Sequence, residues 1–357
     1  MISSLVYKRL NREEVFSKLY CFRFKTRPML HQAIGMLFAI DKDGVGFFYD
    51  IGTGKTLTAL YTAKHIWKAK KILVICPKSV FGTWKEQVTA HTNYPVCVLG
   101  GTRQNKVDLL REAKAGVCVL NYESVRVVFG ECIKVRWQGR ERRVEKFKED
   151  LLKSMNFDVV IFDECHHVKN ANTTTARLSH TLATLVPKRI IMTGTPVTES
   201  DINIWSQMMC VDYGKSLGDN YYRFLNKYFY KYGFVWKAKH NSRKEILQQI
   251  EDQVIFYGQE ECFDLPERTY EKVFVDMTDE QRRYYGDVLR GILSCKDTPV
   301  PLPTLLSQLA KLRQVLGGFL YTPDGVISIK NNKVLVLPDI VQQCLARPGK
   351  LIIYHLS

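Results

Sequence analysis

Val45-Gly-Phe-Phe-Tyr49 runs directly into Asp50-Ile-Gly-Thr-Gly-Lys-Thr56, and a helical pattern begins where this stretch ends. An apolar strand, a glycine-rich turn and a helix start are the context in which a G-K-[ST] sequence binds phosphate. Gly52 and Gly54 allow the backbone to bend so that its N–H groups, including that of Thr53, face the phosphates. The helix N-terminus adds favourable partial charge. Lys55 is placed to reach the β- and γ-phosphates, and Thr56 to hold a magnesium ion. The general pattern asks for glycine where this chain has Tyr49.

Working outward, a second stretch supplies what the first lacks. Asp158-Val-Val-Ile-Phe-Asp-Glu-Cys-His166 is an apolar strand that delivers two adjacent carboxylates at its C-terminal end. Ligands bind at that edge of open parallel sheets. Asp163 is expected to hold Mg²⁺ and Glu164 to orient and deprotonate an attacking water, so the pair of motifs predicts ATP with Mg²⁺. Further apolar runs at Ile72–Cys76, Val96–Leu99, Val117–Leu120 and Arg189–Thr193 alternate with helical patterns. Several are continuously apolar, as strands buried on both faces are. The fold class is therefore α/β: a P-loop, doubly wound parallel sheet flanked by helices.

The flanking segments differ. Between Asn121 and Asp158 lies a basic insert, Lys134 to Lys148, with Val144, Phe147, Leu151 and Met155 at helical spacing. From about Lys215 aromatic and basic residues interleave: Tyr221, Tyr222, Phe224, Tyr228, Phe229, Tyr230, Tyr232, Phe234 and Trp236 with Arg223, Lys227 and Lys231. Such a run either stacks on nucleic acid or forms the core of a helical protrusion; the helical core is the expectation here. Lys333 to Ser357 reads as a helix followed by a strand at Lys350-Leu-Ile-Ile-Tyr. The predicted organisation is an ATP-binding lobe over 1–215, a helical protrusion over 216–330, and the start of a further α/β lobe over 331–357.

Composition bounds the partners. The 357 residues include 52 basic and 36 acidic ones, a net charge of +16, which favours a polyanion such as nucleic acid. No run of about 18 apolar residues is present to span a membrane. The N-terminus lacks the apolar core of a signal peptide, so a cytoplasmic location, in a bacterium or a phage-infected host, is expected. The ten cysteines, Cys76, Cys97 and Cys118 among them, are scattered without C-x-x-C spacing, and His166–His167 has no H-E-x-x-H frame, so no structural metal is expected. Nothing implies an oligomer.

The ordered series of motifs resembles superfamily 2 helicases and translocases, and within them the Swi/Snf-type family, especially its compact bacteriophage and bacterial members. Asp163-Glu-Cys-His-His-Val-Lys-Asn170 is similar to the family's D-E-A-H-x-x-K-N box, and Pro28-Met-Leu-His-Gln32 to its Q motif. Cys76-Pro-Lys-Ser-Val-Phe-Gly-Thr-Trp-Lys-Glu86 resembles its strand-contacting segment, Asn121-Tyr-Glu-Ser124 its T-Y-E motif and Met192-Thr-Gly-Thr-Pro196 its motif III. Leu265-Pro-Glu-Arg268, Met277-Thr-Asp-Glu-Gln-Arg-Arg-Tyr-Tyr285 and Leu312-Arg-Gln-Val-Leu-Gly-Gly-Phe319 follow in the family's order. The resemblance implies that Gln32 reads the adenine edge, and that His166, Thr193, Gly194 and Thr195 couple nucleotide state to nucleic-acid grip. It also implies that Pro77, Lys78, Ser79 and Trp84 contact nucleic acid, with double-stranded DNA as the expected partner.

The family pairs two RecA-like lobes, the second supplying arginines to the γ-phosphate. Lys333 to Ser357 resembles the opening of that lobe, and Gln138-Gly-Arg-Glu-Arg-Arg143 only superficially resembles its final motif, with the wrong spacing and position. The chain alone is therefore expected to hydrolyse ATP poorly, since losing such arginines costs about 10³–10⁵ in rate, and to be part of a longer motor. Three functions are consistent with these features: an ATP-driven duplex-DNA translocase, a strand-separating helicase on RNA or branched DNA, and a nucleotide-dependent binding module without efficient catalysis.

Overall fold

The structure is a computed structural model that describes residues 4–137, 140–194, 201–264, 270–294, 299–301, 304–323, 325–346 and 350–354. The chain divides into two compact units, Met1–Pro266 and Glu267–Ser357.

The first unit is built on a seven-stranded, all-parallel sheet. Its members are β1 (Gly44–Tyr49), β2 (Lys71–Cys76), β3 (Val96–Val98), β4 (Gly116–Asn121), β7 (Val159–Asp163), β8 (Lys188–Thr193) and β11 (Val254–Tyr257). The spatial order is β11-β1-β8-β7-β2-β4-β3. Period-two alternation sends Phe47, Val74, Ile161 and Ile190 into one core and Phe48, Leu73, Val160 and Ile191 into the other. The helices Leu30–Phe38, Lys55–Tyr61 and Phe81–His91 cover the first face; Tyr122–Phe129, Thr174–Leu185 and Ile204–Asp212 cover the second. Burial on both sides is why these strands read as unbroken apolar runs. Because all strands are parallel, the loops after β1, β2, β7 and β8 emerge at one edge of the sheet.

Six of the seven strands coincide with the apolar runs of the sequence; β11 does not. It comes from beyond residue 215, where the composition shift suggested that the lobe ends, and it pairs with β1 through Phe47↔Ile255 and Phe48↔Phe256. The basic insert also differs from the helical expectation. It forms an antiparallel hairpin of β5 (Gly130–Trp137) and β6 (Arg140–Phe147), and only then a short helix, Glu149–Lys153. The alternation in Cys132-Ile-Lys-Val-Arg-Trp137 has the strand period of two. Phe147 is buried against Phe129 in a stacked ring pair. Of the string Gln138–Arg143, residues 140–143 open β6, and residues 138–139 lie outside the described residues.

The aromatic run splits as well. Tyr221–Tyr228 is a helix capped by Asn220, but β9 (Phe229–Tyr232) and β10 (Val235–Ala238) form a second hairpin. Gly233 supplies the positive φ of its turn, at 58°.

In the second unit, Gln281 is buried, caps the helix Asp279–Leu289 from within, and donates to the carbonyl of Val315 at 3.0 Å. A small core of Val288, Val315, Leu320 and Ile329 joins that helix to Leu305–Gly317 and to the hairpin Phe319–Thr322/Gly325–Ser328. The helix Asn332–Leu345 follows, and residues 350–354, read from the sequence as a strand, carry no regular element. The L-P segment at 265–268 lies outside the described residues. Among the described residues, no helix is long and apolar enough to cross a membrane.

Candidate functional site

The loop after β1 takes its shape from two glycines in the left-handed region, Gly52 at φ 86° and Gly54 at φ 81°. Thr53, between them, is buried, and its hydroxyl donates to the Asp50 carbonyl at 2.7 Å. Its own carbonyl accepts from His31 Nε2 at 2.7 Å and from Gln32 Nε2 at 3.1 Å. The Gln32 oxygen accepts the Met29 N–H at 2.9 Å. Gln32 therefore fixes the loop from behind while closing the first turn of its own helix. A side chain at position 54 would force Gln32 to move, since its Cβ would lie 2.2 Å from Gln32 Nε2, and it would strain the positive φ there. Tyr49, standing where the general motif has glycine, is fully buried with its ring edge-on to Tyr257 at 5.2 Å. Only its carbonyl takes part in the site.

That carbonyl accepts from Lys55 Nζ at 2.8 Å, and Asp50 O accepts at 3.2 Å. Burial lowers the Lys55 pKa, while the charges of Glu164, Asp163 and Asp50 act to raise it. Thr56, half-buried, occupies the first turn of the helix Lys55–Tyr61.

The loop has a second support that the sequence did not reveal. Gln259, just past β11, donates its backbone N–H to Asp50 Oδ2 at 3.0 Å and its side-chain amide to Ile51 O at 2.6 Å. Gly258 donates to Glu261 Oε2 at 2.8 Å, and Glu261 pairs with Lys8 at 2.7 Å. Beside this clasp opens a cleft of about 780 Å³ lined by Lys8, Arg12, Met29, His31, Tyr257 and Phe263 among others.

β8 lies between β1 and β7, so its end separates the lysine loop from the carboxylates. Thr193 is fully buried there. Gly194 lies against the loop: a Cβ on it would stand 3.1 Å from Ile51 Cγ1 and 3.4 Å from Lys55 Nζ. Thr195 and Pro196 lie outside the described residues.

At the end of β7, Asp163 is buried, with each carboxylate oxygen accepting one N–H. Oδ2 takes the Trp84 indole at 2.8 Å and Oδ1 the Glu164 backbone at 3.0 Å. Burial raises its pKa, the neighbouring Glu164 charge adds to this, and Trp84 and Lys55 oppose it. Glu164 has φ 51° and ψ 55°, a left-handed conformation in a residue with a full side chain. The turn is held by its neighbours: Tyr122 donates its hydroxyl to Asp163 O at 2.9 Å, and Cys165 Sγ donates to Gln207 Oε1 at 3.2 Å. Ser206 donates its hydroxyl to Val168 O, and His180 Nε2 donates to Ser206 O at 2.8 Å. His166 Nδ1 stands 3.2 Å from Glu164 Oε2, and its ring stacks on His167, which stacks on Tyr122.

Pro77, Lys78 and Ser79 follow β2 at the same sheet edge, with Lys78 and Ser79 exposed. Trp84 corrects the sequence reading. It is 1% exposed and points inward from the helix Phe81–His91 beside Val88, so its side chain offers no surface for the nucleic-acid contact expected of it. Its indole N–H is directed to Asp163.

Lys55, the loop N–H groups, Thr56, Asp163 and Glu164 make a donor set suited to a phosphate chain with a hard divalent cation, which takes oxygen ligands. The profile of the SNF2-related domain matches residues 31–316. The SWI/SNF-related matrix-associated actin-dependent regulator of chromatin subfamily A-like protein 1 homolog of Caenorhabditis elegans is 27% identical over 251 residues, covering 69% of this chain and 33% of that protein. Protein p41 of Acyrthosiphon pisum secondary endosymbiont phage 1 is 22% identical over 354 residues, 93% of this chain and 72% of that one. The Sulfolobus solfataricus SWI2/SNF2 ATPase core, solved in complex with dsDNA, shares the fold with a TM-score of 0.50 at 19% identity, over 91% of this chain and 66% of that one. The chain thus spans a third of the nematode relative's length.

Proposed function

Since the chain belongs to the SNF2-related family, we propose that it forms the nucleotide-binding part of an ATP-dependent translocase that tracks duplex DNA. The observation that carries this reading is the placement of Lys55. It is held by the carbonyls of its own loop while feeling the charge of Asp163 and Glu164 from β7, two strands away in the sheet. Lys55 and the N–H groups of the glycine loop bind the phosphates, and Gln32 and the cleft beside it receive the base. Thr56 and Asp163 hold Mg²⁺, which when bound neutralises charge on the β- and γ-phosphate oxygens. Glu164 accepts the proton of the attacking water as the water oxygen bonds to the γ-phosphorus and the bond to the β-phosphate oxygen breaks. Coupling is assigned to His166, which stands beside Glu164, and to Gly194, which lies against the lysine loop at the end of β8 after buried Thr193; Thr195, expected to share this role, lies outside the described residues.

Duplex DNA is favoured as the track by the net charge of +16 and by the DNA-bound archaeal structure that shares the fold. Exposed Lys78 and Ser79, with Pro77, offer phosphate contacts that position without reading sequence. The test is binding by the purified chain. A fluorescent ATP analogue should bind in the presence of Mg²⁺, and Lys55→Ala should weaken it about a hundredfold, as expected for losing a charge-assisted bond in a buried setting. Labelled 20-mer duplex DNA should bind more tightly than single-stranded RNA of equal length. No nucleotide binding by the unaltered chain would falsify the ATP reading, and preference for the RNA would overturn the translocase reading.

A further inference from the structure

The hairpin β9/β10 is anchored on one face and bare on the other. Its register, Tyr232↔Val235, Lys231↔Trp236, Tyr230↔Lys237 and Phe229↔Ala238, puts Phe229 and Trp236 on the same side. Phe229 is buried in the core of the first unit, and Trp236 packs against that core. Tyr230, Tyr232, Val235 and Lys237 share the opposite side. Tyr230 is 47% exposed, Tyr232 66%, and Phe234 at the turn 101%. Lys237 Nζ stands 4.2 Å above the Tyr232 ring, a cation–π contact that keeps that ring on the surface. Leaving three aromatic rings in water forgoes burial energy that a two-stranded ribbon cannot recover by itself.

The charge around the rings selects the occupant. Residues 220–244 contain Arg223, Lys227, Lys231, Lys237, Lys239, Arg243 and Lys244 and no Asp or Glu. A second copy of the chain would bring the same positive charge to the contact. Nucleic acid brings negative charge together with flat apolar faces, the combination that basic and aromatic surfaces recognise without sequence preference. In a continuous duplex those faces are covered by neighbouring base pairs; at a fork or single-stranded end they are open.

We propose that the outer face of this hairpin, Tyr230, Tyr232 and Phe234 with Lys237, binds unpaired bases where duplex DNA opens into single strands. The proposal rests on the reading of the chain as a DNA-tracking protein, and adds to it a preference for junctions.

The experiment measures binding of the whole 357-residue chain by fluorescence anisotropy to a blunt 20-mer duplex and to the same duplex with single-stranded arms. The forked DNA should bind about tenfold more tightly, the effect of stacking a base or two. Phe234→Ser and the combined Tyr230→Thr/Tyr232→Thr variant should each remove most of that margin while leaving blunt-duplex and ATP binding unchanged. A 2-aminopurine in the arm should be quenched by the unaltered chain and not by Phe234→Ser. Phe234 is fully exposed, so its single substitution leaves the fold intact even if the double variant loosens the hairpin. Equal affinity for fork and duplex, or a margin that survives both variants, overturns the hairpin proposal and leaves duplex tracking standing. Absence of duplex binding with a preserved, Phe234-dependent affinity for the fork overturns duplex tracking and leaves the hairpin. No binding to either DNA overturns both.

Discussion

The loops that leave β1 and β7 both pass through the left-handed region, but by different means. After β1 the chain uses Gly52 and Gly54, for which that conformation carries no side-chain penalty. After β7 it uses Glu164, for which it costs about 1–2 kcal/mol. The first loop is shaped by its own sequence and then clasped by Gln32 and Gln259. The second is strained, and is kept in place by Tyr122, Trp84, Gln207 and Ser206 from other elements. A phosphate cradle needs many N–H groups turned one way, which glycine supplies locally. The base proposed at Glu164 needs one carboxylate aimed outward, and strain supported by packing is suited to aim it.

The comparison breaks most visibly at Gly54. Gly54→Ala adds a left-handed penalty and drives Gln32 from its bonds to Met29 and Thr53. The expected outcome is a loss of about 2–4 kcal/mol of stability, read from the urea midpoint, and about a hundredfold weaker binding of the ATP analogue. Unchanged affinity would show that the loop does not depend on its glycines. The second loop is tested at its support. Trp84→Phe keeps a ring in the core but removes the N–H on Asp163 Oδ2. Burial then raises the Asp163 pKa with less opposition, so protons compete better against a cation. The Mg²⁺ concentration that half-saturates nucleotide binding should rise about tenfold, the usual scale for removing a partner of a metal-binding carboxylate. Nucleotide affinity without Mg²⁺ should stay unchanged, which a merely structural role for Trp84 would not produce. If the Mg²⁺ dependence does not move, Trp84 is packing alone.

What the sequence could show follows the same division. The strands β1, β2, β4, β7 and β8 were legible because burial on both faces leaves a continuous apolar run, and the glycine loop was legible because its conformation is written in its residues. β11 is an edge strand of four residues whose partner β1 lies some two hundred positions earlier, and the Gln259–Asp50 clasp spans 209. Neither leaves a local pattern. Trp84 was different: Trp84 and Val88, four apart on a helix with Lys85, Glu86 and Gln87 between them, already mark an inward face. The aromatic run of 221–236 divides between a helix and a hairpin, which no single periodicity shows. Phe224, Tyr228 and Phe229 are core as expected, but Tyr222 is exposed on the helix, and strand alternation with the turn at Gly233 leaves Tyr230, Tyr232 and Phe234 exposed.

The effect at the far support of the second loop vanishes at neutral pH. Burial lowers His180 to about 4, partly opposed by its hydrogen bond to the Ser206 carbonyl. The unfolded chain titrates near 6.5, so above that pH both states are neutral and the His180–Ser206–Val168 chain contributes fully. Between about 6.5 and 4 the unfolded state takes up a proton that the folded state refuses, and stability falls as pH falls. At pH 5 this amounts to about 2 kcal/mol. His65, also lowered to about 4 by burial and by Lys64, and His31, His91 and His167, lowered chiefly by burial, titrate in the same direction, so the slope of the unaltered chain contains all of them. His180→Gln retains an N–H for Ser206 and does not titrate. Urea unfolding should therefore give nearly the same stability as the unaltered chain at pH 7.5, and a loss on going to pH 5 that is smaller by about 2 kcal/mol. An identical loss in the two proteins would mean that His180 is already protonated in the folded state. The anchor behind Val168 would then be an exposed pair, and the strained turn at Glu164 would need another source of support.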